Sequence, residues 1–222
     1  SDTKKMSKLI LLLVKNYTRL KSLVKSSEIK VDDEGSKRVV NTILLNKNFF
    51  PKKNSPTQNF SKKLLIDKIT DKEINFYLHC RNLEMNIKNS SDSKKIKSLD
   101  HYIWWFLNKR NSYVLNRSGK RILYFYDQKT NNKIKDSYTL SGWFACVKDC
   151  SIKEILHSLN WQRYHSSKVK WISCIKKCNK FSIKLSKYIG WQLIKKNNEF
   201  FKKIKFQLKI KTDNFYFYKR GF

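Results

Sequence analysis

Glycine and proline are scarce, at five and two of 222 residues. Both prolines, Pro51 and Pro56, fall in one stretch, so most of the chain carries no obligatory helix breaker. Long apolar runs are also missing. The run Leu9 to Val14 has six apolar residues, against roughly 20 for a membrane-spanning helix, so no membrane span is expected. Walker loops and dinucleotide fingerprints are absent, which excludes those routes to nucleotide binding. Acidic residues number 17 against 49 basic ones, for a net charge of +32. Arginine is the minor base, at Arg19, Arg38, Arg81, Arg110, Arg117, Arg121, Arg163 and Arg220. A nucleic-acid reader concentrates arginine, whose planar fork suits phosphates and guanine edges. The lysine excess therefore reads first as compositional bias on a solvated surface. A field that steers anionic small substrates, or a basic nucleic-acid binder, remain as alternatives.

The cysteine count of five is odd, and no secretory signal precedes Cys80, Cys146, Cys150, Cys174 and Cys178. A reducing, cytoplasmic setting follows more readily than a disulfide scaffold. The two CxxxC pairs lack zinc-ribbon spacing and fall partly on strands, so no metal site is expected.

What is present supports a folded chain. Hydrophobic residues make up 40% and aromatics 14%, enough to bury the core of one domain with extra elements. Apolar spacing predicts a helix over 4–26, a short strand and turn over 28–35, and a helix over 36–45. Residues 46–62 hold both prolines among Asn, Ser and Lys, a linker composition. The domain reading is an N-terminal helical segment at 1–48, a linker at 49–62 and a main domain at 63–222. In the main domain the pattern predicts a strand over 63–69, a helix over 71–80 and a helix opened by an N-cap at Ser98. Strands follow at 112–115, 121–126 and 137–147, the first pair joined by a turn in which Gly119 supplies positive φ. A helix over 151–163, a strand over 169–175 and a helix from Asn179 to a C′ glycine at Gly190 come next. Strands at 191–194, 204–210 and 215–218 close the chain. Hairpins mixed with a βαβ crossover give an α+β, or mixed α/β, class.

Two local patterns carry a family resemblance. One is Cys80-Arg81-Asn82-Leu-Glu84-Met-Asn86-Ile-Lys88, followed by Ile96-Lys-Ser98-Leu-Asp-His101-Tyr-Ile-Trp104-Trp105-Phe106. The other is Asn179-Lys-Phe-Ser182-Ile-Lys-Leu185-Ser186-Lys-Tyr188-Ile-Gly190-Trp191. With the element order, these resemble the GNAT acetyltransferase superfamily over roughly residues 63–210, and the first resembles sugar N-acetyltransferases such as that of the pseudaminic acid pathway. The resemblance implies a central twisted mixed sheet of about seven strands flanked by about four helices. It implies acyl-CoA-dependent N-acylation of a nucleotide-linked amino sugar, with acetyl-CoA as donor. The segment Val31-Asp32-Asp33-Glu34-Gly35-Ser36-Lys37-Arg38-Val39-Val40 resembles the tail of a fused GT-B-like nucleotide-sugar hydrolase; an accessory helical hairpin is the alternative.

The same resemblance distributes roles. The fourth strand and the turn after it would meet the donor through Phe144, Cys146, Val147, Lys148, Ser151, Ile152 and Lys153. Asn179 and Ser182 would add contacts, although Asn179 also suits a helix N-cap. His101 and Glu84 are the catalytic candidates, His101 because imidazole titrates near neutral pH; bracing of a helix is its other reading. Arg81, Asn82 and Trp105 are substrate-binding candidates. The sequence departs from the superfamily at two places. Its phosphate-facing turn has no glycine and carries Asp149, and Ser186 stands where a general-acid tyrosine often does. A degenerate GNAT-fold binding module is therefore the second hypothesis.

Overall fold

The computed structural model describes residues 2–21, 64–90, 93–108, 110–129, 138–165, 170–196, 201–202 and 214–221. Expectations for 22–63, and for a strand at 204–210, lie outside the described residues. The chain divides into two units, Ser1–Lys63 and Leu64–Phe222. In the first, α1 spans Asp2–Lys15 and ends where Asn16 turns its side-chain amide onto the Leu12 carbonyl at 2.7 Å. That local bond competes with the helix ladder, so the predicted single helix is interrupted.

The second unit is built on a seven-stranded sheet in the order β1-β2-β3-β4-β5-β7-β6. The strands are β1 (Leu64–Lys68), β2 (Asn111–Arg117), β3 (Lys120–Lys129), β4 (Thr139–Ala145), β5 (Trp171–Lys176), β6 (Gln192–Leu193) and β7 (Phe215–Arg220). Every pairing is antiparallel except β4 with β5. A parallel neighbour requires a crossover, here α5 (Ile152–His165). The β2–β3 hairpin turns on Ser118 and Gly119, at φ 50° and 79°. A two-residue loop with both φ positive matches the twist of its strands; Ser118 shares the strain expected of Gly119 alone.

Helices cover both faces. A 3-10 turn (Asp71–Glu73) leads into α2 (Ile74–Arg81), and α4 spans Ser98–Leu107. Along β3 the side chains alternate: Tyr124 meets Tyr77 of α2, while Phe125 meets Trp161 of α5. The α5 side is sealed by buried Leu115, Leu123, Phe125, Ile155 and Leu185. A second cluster, including Ile172, Ile194, Phe215 and Phe217, fills the β5–β7 end.

Two local readings need adjustment, and a third agrees. Lys97, not Ser98, is the N-cap of α4, and it makes no side-chain cap bond. A short helix, α3 (Glu84–Asn89), occupies a stretch read as irregular. Its polar sequence hides it; a Glu84–Lys88 pair at 2.8 Å and the inward-turned Asn86 sustain it. α6 spans Lys180–Tyr188, with Asn179 Oδ1 accepting the Ser182 amide at 3.0 Å and Gly190 at φ 82° beyond its end.

Candidate active site

The parallel pairing of β4 and β5 is short. Its register runs Thr139↔Trp171, Leu140↔Ile172 and Ser141↔Ser173 and stops there. β4 continues to Ala145 and β5 to Lys176, so the strands part. On its other side β4 stays paired with β3, and the Cys146 amide still donates to the Ile122 carbonyl at 2.8 Å. The alternation of an antiparallel ladder then turns the peptide groups of Trp143 and Ala145 away from β3, into the gap. One of them is already used. Asn86 Nδ2 donates to the Ala145 carbonyl at 2.7 Å and to the Cys80 carbonyl at 2.6 Å. Asn86 is thus a buried clasp between α2 and the far end of β4.

A cleft of about 620 Å³ opens at this parting, within the range of small-molecule sites. Gly142, Trp143 and Phe144 form one wall, with Ser173 to Ile175 opposite, and α6 contributes Asn179, Ser182 and Ser186. At the other end lie Arg81, Asn86, Arg110, Tyr126 and Gln128. No Asp, Glu or His stands among these described lining residues. The Cys174 thiol is pushed up to about 12 by burial, so it stays protonated.

Of the residues singled out from sequence, Arg81, Phe144, Asn179 and Ser182 line the cleft. His101 sits behind the wall at 2% exposure. Its Nε2 meets the Ile74 carbonyl at 2.9 Å, and its ring stacks on Tyr77 and Trp104. Burial holds its pKa below the ordinary histidine value. Trp105 is buried beside it, donating its indole N–H to Asp71 at 2.8 Å. Asn82 exchanges two 2.9 Å bonds with the main chain of Ile96, fixing the segment ahead of α4. Glu84 is exposed, and the hydrogen bond from Lys88 holds its carboxyl below the usual range.

The β4–α5 junction has its own logic. Ser151 and Glu154 form a capping box: the Ser151 amide donates to Glu154 Oε2 at 2.8 Å, and the Glu154 amide donates to Ser151 Oγ at 3.3 Å. Arg117 donates to Glu154 at 3.0 Å and to Asp149 at 2.6 Å, holding the Asp149 carboxyl below its usual range. The box leaves the amides of Ile152 and Lys153 as the helix's free N-terminal donors. Val147 and Cys150 turn inward against the α5-side core. Burial raises the Cys150 thiol to about 11. The Cys146 thiol is raised by its hydrogen bond with Cys80 and by burial. Lys148 sits on the same turn. None of Cys146, Val147, Lys148, Ser151, Ile152 and Lys153 lines the cleft itself.

Sequence reasoning passed over Asn86, Arg110, Tyr126, Gln128, Gly142 and Trp143. Alternation along β3 places Tyr126 and Gln128 on one face. Nothing in the sequence says that this face opens onto a cleft.

No protein-family model matches the chain, and no curated protein matches it in sequence. Solved structures do share its fold. A domain from Methanocaldococcus jannaschii matches at 19% identity and TM-score 0.55, over 72% of this chain and 98% of that one. An acetyltransferase from Thermus thermophilus matches at 9% identity and TM-score 0.53, over 71% and 96%. A protein from Bacillus halodurans matches at 14% identity and TM-score 0.53, over 71% and 83%. At these identities the likeness establishes architecture alone: an α+β fold built on a mixed seven-stranded sheet, shared with solved structures that include an acetyltransferase. Among the described residues no helix is long and apolar enough to cross a membrane, and no three His, Cys, Asp or Glu side chains gather as a metal site.

Proposed function

We propose that this chain is an acyl-CoA-dependent N-acyltransferase acting on a nucleotide-linked amino sugar. The observation that carries the reading is the parting of β4 and β5 after Ser141↔Ser173, with a cleft at that point. The amino-sugar acceptor rests on the sequence resemblance around Arg81 and Asn82, and cytoplasmic location rests on cysteine usage.

The residues present suit a phosphorylated thioester. The Trp143 and Ala145 peptide groups offer an unpaired strand edge to an extended, amide-bearing arm. Asn179 and Ser182 stand across the gap. The free amides of Ile152 and Lys153, with the Lys148 and Lys153 side chains, offer positive charge to phosphates at a helix N-terminus. Arg117 neutralises the otherwise unhelpful Asp149. Acyl-CoA, when bound, supplies an electrophilic thioester carbonyl.

The rest of the work falls to the chain itself. Arg81 and Arg110 hold the acceptor at the far end of the cleft, and oriented main-chain donors of β4 face the developing oxyanion. Among the described lining residues no carboxylate or imidazole is placed to take a proton, so the acceptor ammonium gives its proton to solvent before the amine attacks, the C–S bond breaks as the amide forms, and the departing coenzyme A thiolate takes a proton from solvent. Catalysis then rests on orientation and electrostatics. His101 is a positioning residue that braces Tyr77 and Trp104, and Glu84 stands outside the reacting centre.

A second reading, a binding module without turnover, is favoured by the Ser151–Glu154 box, which withdraws two helix amides from any phosphate. Titrating acetyl-CoA by calorimetry and then following thiol release with an amino-sugar nucleotide separates the two. Saturable binding with thiol release is the expected result. A folded chain that binds no acetyl-CoA defeats both the donor assignment and the enzyme.

A further inference from the structure

Arg110 differs from Arg117 and Arg121, the guanidiniums of β2 and β3 that pair with carboxylates. It follows α4 at the start of β2, and its side chain enters the cleft. Its guanidinium lies 3.8 Å from the centre of the Tyr126 ring and 5.2 Å from that of Trp104. Nε donates to Gln128 Oε1 at 3.2 Å, which fixes the plane of the fork. Aromatic stacking and two neutral partners, Gln128 and the Tyr77 hydroxyl, orient the charge without neutralising it. The nearest strand carboxylate, Asp127, turns to the opposite face, where Asn111 donates to it at 2.8 Å.

Three further observations bear on the same point. The Tyr77 hydroxyl, fully buried, meets this guanidinium and adds a second neutral contact that helps to hold the fork in place. Beside Tyr126 in the β3–β4 ladder stands Gly142, and a methyl group there would overlap the Tyr126 phenol. The glycine therefore allows Tyr126 to lie flat as the platform for Arg110. Finally, the described lining of the cleft contains two arginines and no acidic side chain. A desolvated cation without a counter-charge is expensive to maintain, and an anionic ligand removes that penalty.

We propose that Arg110 is the anchor for an anionic group, a phosphate or carboxylate, carried by the acceptor, and that it makes the cleft selective for amino compounds bearing such a group. The assignment rests on the acyl-acceptor reading above but names what that reading leaves open: which residue recognises the acceptor and by what charge. The fork presents its two terminal nitrogens side by side, the geometry that suits paired oxygens.

The test uses the full chain and three sugars with the same amine: glucosamine, glucosamine 6-phosphate and glucosaminuronic acid. Binding is followed by tryptophan fluorescence, since Trp104 and Trp143 flank the site, and by calorimetry. Acetyl-CoA is titrated in parallel. At least one anionic sugar binds more tightly than glucosamine, and which one identifies the oxygen-bearing group. Arg110→Gln weakens that sugar about 30-fold, as expected for loss of a charged hydrogen-bond pair, while its acetyl-CoA affinity stays within about twofold of wild type. Gly142→Ala, which displaces Tyr126 and keeps every charge, weakens the same sugar and leaves glucosamine unaffected; this variant carries the test if Arg110→Gln fails to fold. Equal affinity for glucosamine and both anionic sugars overturns the proposal. So does an Arg110→Gln chain that binds the anionic sugar as wild type does. Arg110-dependent binding without acetyl transfer upholds the anion site and removes the acyltransfer reading, so the two failures are distinguishable.

Discussion

Arg121 and Arg117, on β3 and β2, contrast with Arg110 at the edge of the cleft. Arg121 is held by both oxygens of Glu73 at 2.6 and 2.7 Å, and the same carboxylate accepts the Tyr124 hydroxyl at 2.5 Å. Arg117 bridges Asp149 and Glu154. Each is satisfied inside the protein, and each ties a loop or helix end to the sheet. Arg110 has the same charge beside the same sheet but rests on Tyr126 and Gln128 and faces a cleft with no carboxylate among its described lining residues. The contrast separates guanidiniums that hold the fold together from one aimed at a ligand. A chain of charge +32 with only 17 acidic residues cannot pair most of its cations, so where the few carboxylates stand is informative.

That contrast can be broken from the structural side. The largest expected effect is from Glu73→Ala. It strands Arg121 and leaves the buried Tyr124 hydroxyl without its acceptor, at a loss of about 3 kcal/mol in denaturant unfolding. A loss below about 0.5 kcal/mol would make this network dispensable and erase the distinction from Arg110.

Glu154→Gln comes next. It keeps the shape of the capping box but removes the negative charge at the α5 N-terminus, so stability falls by about 1 kcal/mol. Under the acyltransferase reading its acetyl-CoA affinity rises severalfold, because the free amides of Ile152 and Lys153 no longer compete with a carboxylate. Calorimetry that finds unchanged affinity would place the phosphates elsewhere.

The smallest effect concerns pH. Burial lowers the His101 pKa, so the fold favours the neutral ring. The unfolded chain then binds the extra proton first, and wild-type stability falls as pH drops below the ordinary histidine value of about 6.5. In His101→Gln that part of the decline disappears, leaving a flatter melting-temperature profile between pH 7 and 5. An unchanged slope would show that His101 binds its proton alike in the folded and unfolded chain, against the effect of its burial.

How far the sequence revealed this differs from place to place. Asn179 was legible as an N-cap and Gly190 as a helix stop, because both act through bonds within a few residues. Ser98 misled by one position, since the segment ahead of α4 is fixed from a distance by Asn82 gripping Ile96. α3 was missed because its stability comes from Asn86, whose partner Ala145 lies 59 residues away. His101 looked like a proton carrier from its type alone; its burial against Ile74 and Tyr77 depends on how α4 lies on α2.

By itself the sequence determined, apart from α3, the order of the described strands and helices of the second unit, the hairpin and helix stops, a βαβ crossover and the excess of positive charge. Those follow from periodicity, turn chemistry and composition, which act locally or by simple sum. Only the tertiary structure decided where β4 and β5 part, that Asn86 reaches the free end of β4, and that Arg110 faces a cleft with no carboxylate among its described lining residues. Each of those depends on pairing between residues far apart in the chain, and neither spacing nor propensity encodes where such pairing stops.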